Sequence, residues 1–124
     1  MITVRTLENG KYEVAEEYVV PSAIWDKPLI VPKGFIYNGL SVPDIALPII
    51  DDSTPGGLEA SAIHDYIYNR RGDLDCGTIG LGRDDADLIF YKVLRHYGCG
   101  WLSAKLAYLA VCTFGGGHWG ESNS

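Results

Sequence analysis

Thr54-Pro55-Gly56-Gly57-Leu58-Glu59-Ala60-Ser61-Ala62-Ile63-His64-Asp65-Tyr66-Ile67-Tyr68-Asn69-Arg70 divides the chain into two unlike halves. Thr54-Pro55 has the form of an N-cap followed by proline at the first helical position, where its missing N–H costs nothing. From there a helix is expected through Leu58, Ala62, His64, Asp65 and Tyr68 to about Arg70. His64 and Tyr68 are four residues apart and share one helical face, with Asp65 about 100° further round.

Downstream the helical pattern continues. Residues 71–82 carry Gly72, Gly77, Gly80 and Gly82 and read as a loop. Asp84-Asp85 suit the positive end of a second helix, whose apolar stripe is Ala86, Ile89, Phe90, Val93, Leu94 and Tyr97. Gly98 is a natural C-cap. Trp101 to Phe114 predicts a third helix, apolar nearly all round and hence expected to be buried, with Gly115-Gly116-Gly117 ending it.

Upstream the pattern is β. Ile2 to Leu7 alternates and is β-branched, and Asn9-Gly10 is a hairpin turn signal. Tyr12 to Val20 reads as a second strand, Leu29–Val31 as a third and Gly34–Tyr37 as a fourth. Between Asn38 and Pro55 the prolines Pro43, Pro48 and Pro55 predict a long irregular loop, a length that usually carries function. The fold class is therefore α+β: a small antiparallel β part followed by three helices. The expected organisation is one globular domain over residues 1–120 with a loose tail over 121–124.

Composition narrows the function classes. The chain has 124 residues, 47% hydrophobic and 21% charged, which suits a packed core. A formal net charge of -6 disfavours binding to a phosphate backbone, so no nucleic-acid partner is expected. Cys76, Cys99 and Cys112 are odd in number and match no zinc spacing, which suits reduced thiols. No basic segment followed by an apolar stretch opens the sequence, so no signal peptide is expected. The apolar stretch at Trp101–Phe114 is too short to span a bilayer.

One constellation has chemical potential. Asp87 lies three residues before Phe90 and seven before Leu94, on or beside the buried stripe, where a carboxylate is costly unless paired. If the first two helices are antiparallel neighbours, Asp87 accepts a hydrogen bond from one ring nitrogen of His64. The other nitrogen is then an acceptor able to take a proton from water. Asp65 beside that base offers oxygen to a divalent cation, and backbone carbonyls of a glycine-containing loop would complete the shell. The loop candidates are Tyr37, Asn38 and Gly39. The plainer alternative is a buried His-Asp-Tyr network that only fixes two helices. Asp73, Asp75, Asp84 and Asp85 read as solvated carboxylates, His96 as a helix-terminal dipole contact, and His118 as tail packing.

His64-Asp65-x-x-Tyr68 followed by Ala86-Asp87-x-x-Phe90 resembles the catalytic helices of phospholipase A2 enzymes, most closely the compact domain of parvovirus capsid proteins. That resemblance implies His64 as general base, Asp87 orienting it, Asp65 binding calcium and Tyr68 supporting the network. A second resemblance covers Phe35 to Trp119. Phe35-x-x-Asn38-Gly39-Leu40-Ser41-Val42-Pro43, the two helix motifs and Trp119 are similar to a family of tailed-phage and prophage proteins, domain-of-unknown-function family 1353. Asn38 and Leu40 stand where that family usually has aspartate and alanine. Together the resemblances imply a phage-encoded lipid esterase acting on phospholipid of the host envelope. The rival is a non-catalytic virion or tail protein bound to phage structural proteins. Either would be found in the host cytoplasm during infection or in the virion.

Overall fold

The computed structural model describes residues 1–39, 53–114 and 119, with Phe114 described by its backbone. The expected Asn38–Pro55 loop lies mostly outside these residues, as do Leu40-Ser41-Val42-Pro43, Gly115-Gly116-Gly117, His118 and the 121–124 tail. Five short strands precede three helices: β1 (Val4–Thr6), β2 (Tyr12–Val14), β3 (Tyr18–Val19), β4 (Ile30–Val31), β5 (Ile36–Tyr37), α1 (Gly57–Arg70), α2 (Arg83–His96) and α3 (Trp101–Phe114). This is the α+β arrangement expected.

β1, β2 and β5 form one antiparallel sheet in that order, with Val4 opposite Val14 and Tyr12 opposite Tyr37. The Asn9-Gly10 turn closes its first hairpin: Gly10 is at φ +82, and the Lys11 N–H donates to Asn9 Oδ1 at 3.1 Å. β3 and β4 make a separate two-stranded ladder. The continuous strand expected over Tyr12–Val20 is thus split in two. Val14, Tyr18 and Val20 point inward, but Glu16 and Glu17 between them are exposed. The chain bends at Ala15 and Glu16, and its two ends join different ladders.

α1 is the central element. β4 and β5 pack on it from one side and α2 from the other. Gly57, Glu59, Ala60, Ser61, Ala62, Ile63, His64, Tyr66, Ile67 and Tyr68 are all buried, so little of its circumference meets water. The helix starts later than Pro55: Gly57 is its first residue and Gly56, at φ +77, caps it. Close packing explains the glycine there. A Cβ on Gly56 would lie 2.9 Å from Tyr97 Cβ and 3.2 Å from the Val93 carbonyl oxygen. The start of α1 therefore lies against the end of α2, and the two helices are antiparallel.

α2 buries most of the expected stripe, Ala86, Ile89, Phe90, Val93 and Leu94, with Asp87 in it, while Tyr97 caps the helix and is partly buried. Its start is capped by Asp85, whose Oδ2 accepts the Gly82 N–H at 3.0 Å. Its end closes at Gly98, in the left-handed region at φ +101, with the Cys99 N–H donating to the Leu94 carbonyl at 3.0 Å. α3 corrects the sequence expectation: it is not buried all round. Ala104, Ala107 and Val111 face the core, while Trp101 (60%), Leu102 (60%) and Leu109 (48%) remain exposed. α3 packs against α2 from outside. The helix with low amphipathicity that is buried nearly all round is α1, enclosed from two sides.

Candidate functional site

Three side chains expected to meet do so at the α1–α2 contact. Antiparallel packing sets His64 and Tyr68, one turn apart on α1, opposite the first turns of α2. His64 Nε2 lies 2.8 Å from Asp87 Oδ1, and the Tyr68 hydroxyl donates to the same oxygen at 2.8 Å. His64 is 8% exposed and Asp87 2%. Both rings are held by packing. His64 is 4.3 Å from the Tyr68 ring and 5.2 Å, edge-on, from Phe90, and Trp119 meets Tyr68 edge-on at 5.1 Å.

The electrostatics follow from that geometry. Burial alone would push the His64 imidazole down, but the nearby negative charge of Asp65 and the hydrogen bond and charge of Asp87 outweigh it and hold the ring above the usual histidine value. Burial opposes ionisation of Asp87, yet the bonds from His64 and Tyr68 win and hold its carboxyl below the usual range. Burial, opposed by Arg83 and reinforced by Asp87, raises the Tyr68 hydroxyl far enough to keep it protonated. An ionised Asp87 is an acceptor only, so Nε2 carries the proton and Nδ1 is the basic nitrogen whenever the ring is neutral.

Asp65 lies on the Nδ1 side. Its Oδ1 is 3.8 Å from His64 Nδ1, beyond hydrogen-bond distance, and its side chain is 14% exposed. The remaining expected ligands sit at the end of β5. Tyr37 is fully buried, and its hydroxyl donates to the Leu58 carbonyl at 3.2 Å, so it would contribute only main-chain oxygen to a metal. Asn38 is exposed, and Gly39 is buried with φ +82. Among the described residues no group of three or more His, Cys, Asp or Glu side chains converges on one point. A cation beside Asp65 would therefore depend on one carboxylate and backbone carbonyls. That donor set is all oxygen and suits calcium better than zinc.

The three cysteines are free thiols, as expected. Among the described residues, no helix is long and apolar enough to cross a membrane. One participant was not anticipated. Arg83 Nε donates to the Tyr68 hydroxyl oxygen at 3.4 Å, and Arg83 Nη2 donates to the Cys112 carbonyl on α3 at 3.3 Å. A signal for it exists in the sequence: a cation at the first position of a helix faces the positive end of the dipole, an unfavourable place.

No curated protein and no solved structure matches the chain. The sequence pattern of one protein family does, over residues 12–111. The match begins earlier than the resemblance read from Phe35 to Trp119, taking in β2 to β4, and ends before Trp119. It includes both helices that build the His64–Asp87–Tyr68 contact. Since the match spans most of the sequence, the chain belongs to the family described as a protein of unknown function (DUF1353).

Proposed function

We propose that this protein is a phage-encoded lipid esterase of phospholipase A2-like design, with His64 as general base. The observation that carries the reading is the shared oxygen: Asp87 Oδ1 accepts from both His64 Nε2 and the Tyr68 hydroxyl. This arrangement fixes the tautomer and aims Nδ1 toward Asp65. The spacing there suits a nucleophilic water. Two atoms 3.8 Å apart can both contact one oxygen at about 2.8 Å, with an angle of roughly 85° at that oxygen.

In the proposed reaction Nδ1 removes a proton from water as its oxygen attacks the ester carbonyl carbon. Asp87 stabilises the imidazolium that forms. Collapse of the tetrahedral adduct breaks the acyl carbon–alkoxy oxygen bond, and the Nδ1 proton passes to the leaving alkoxide. The products are a fatty acid and a lysolipid alcohol. Asp65, with main-chain carbonyls of Tyr37, Asn38 and Gly39, would hold calcium, which when bound polarises the ester carbonyl. The phage origin and the host-envelope substrate rest on the motif resemblances.

The test has two arms. Calorimetry should detect saturable calcium binding to wild type that Asp65→Asn loses. Fatty-acid release from phospholipid micelles should require calcium and fall by about 10²–10⁴-fold in His64→Gln. It should rise with pH as His64 loses its proton, because the base works only when neutral. No binding at millimolar calcium, with no release, overturns the reading. The virion or tail scaffold then stands, favoured by the deep burial of His64.

A further inference from the structure

We propose that Arg83 is a positioning residue that sets the Tyr68 hydroxyl, and through it Asp87, for the base His64. The inference rests on the esterase reading only in calling His64 a base; the contacts themselves do not depend on it. A tyrosine hydroxyl has one proton and two lone pairs, and its rotor is free unless both sides are engaged. Arg83 Nε donates to the Tyr68 oxygen at 3.4 Å. The single Tyr68 proton is thereby directed to Asp87 Oδ1, which it reaches at 2.8 Å. The guanidinium charge polarises that O–H and makes it a stronger donor to the carboxylate.

Arg83 is itself held from a second direction. Its Nη2 donates to the Cys112 carbonyl at 3.3 Å. The planar fork therefore spans α1 and α3 from the first position of α2, which a point charge could not do. This geometry accounts for a cation at the positive end of a helix dipole, beside Asp84 and Asp85, which suit that end. It also gives α3 a link to the site that its largely exposed outer face would not suggest.

The test is the imidazole Nε2–H proton resonance of His64 in ¹⁵N-histidine-labelled full-length protein, read at one fixed pH. Tyr68→Phe removes the hydroxyl and leaves Asp87 charge to be shared by His64 alone, so the resonance should move downfield. Arg83→Met should move it the same way by a smaller amount. Arg83→Lys, which keeps the charge without the fork, should fall between wild type and Arg83→Met. In the Tyr68→Phe background Arg83→Met should add nothing, because Arg83 acts through that hydroxyl. An unmoved resonance in a folded Arg83→Met protein overturns the proposal, and so does a shift that persists in full without the Tyr68 hydroxyl. No lipid enters the measurement. The expected shifts alongside an absence of hydrolysis would sink the esterase reading and leave Arg83 in its role.

Discussion

Asp87→Asn tests the centre of the site. The side chain is 2% exposed, and its Oδ1 accepts two hydrogen bonds at 2.8 Å. Bonds to a charged acceptor contribute about 1.5–3 kcal/mol each, against roughly 1 kcal/mol for a neutral one. Asparagine keeps the volume and its amide oxygen can accept both bonds, but without the charge, so each falls from the charged to the neutral value. The expected loss is roughly 2–4 kcal/mol, in line with breaking a buried pair by removing one partner. For a domain of this size it corresponds to a fall in Tm of about 8–16 °C. The pH dependence carries a further signature. His64 is raised, so its share of stability is present below the ordinary value of 6.5 and is lost as pH rises through the folded pKa. Asp87 is lowered, so its share is present above 3.8 and is lost as pH falls through the folded pKa. The gap between wild type and variant should thus be widest between about pH 4 and pH 6.5, and narrow on both sides. Urea denaturation at a series of pH values measures it. A gap under about 0.5 kcal/mol, or one flat with pH, would refute the paired network.

Two further substitutions test the frame that holds the site. Gly72 sits at φ +84, and a Cβ there would lie 1.9 Å from the Leu81 carbonyl oxygen, so Gly72→Ala should cost at least roughly 2 kcal/mol by thermal denaturation. On α3, Leu102→Lys on the exposed side should cost within about 0.5 kcal/mol, whereas Ala107→Leu on the buried side should cost about 1–3 kcal/mol. Equal effects at the two positions would contradict the placement of α3 as an outer helix.

The helix pair was legible because two independent periodicities agreed. His64 and Tyr68 lie one turn apart, and Asp87 falls on the stripe of Ile89, Phe90 and Leu94. A carboxylate in an apolar stripe needs a partner, and antiparallel packing of the two helices supplies one. The α3 exposure was not legible, since composition reports apolarity and not how many neighbours surround a helix. α1, with Glu59, Ser61, His64 and Asp65, looks the more polar of the two, yet it is the enclosed one because sheets and α2 meet it from both sides. The break at Ala15 and Glu16 escaped the alternation rule for a similar reason. Val14, Tyr18 and Val20 keep one parity through a bend that takes them into different ladders. Arg83 was missed because its two partners come from α1 and α3, and no local spacing predicts a residue that bridges both.

The choice between base and scaffold also has a physical bearing within the fold. A buried ionic pair is a poor source of stability, since well-packed apolar residues of similar volume often do as well or better. The usual defence of such a pair is that it fixes register. Here register is fixed elsewhere, at both ends of the α1–α2 pair. At one end Gly56 lets the start of α1 approach Tyr97 and Val93 so closely that a Cβ would collide. At the other, the 71–82 loop closes on itself through the Leu81 N–H to the Gly72 carbonyl at 3.2 Å and the Leu74 N–H to the Thr78 carbonyl at 2.8 Å. A one-turn slip of α2 along α1 would violate both ends without help from the middle. A polar triad placed between two such stops adds desolvation cost and little specificity. Its distinctive product is a histidine of fixed tautomer with Nδ1 facing a carboxylate 3.8 Å away, a geometry that the proposed general base would use and that packing does not need.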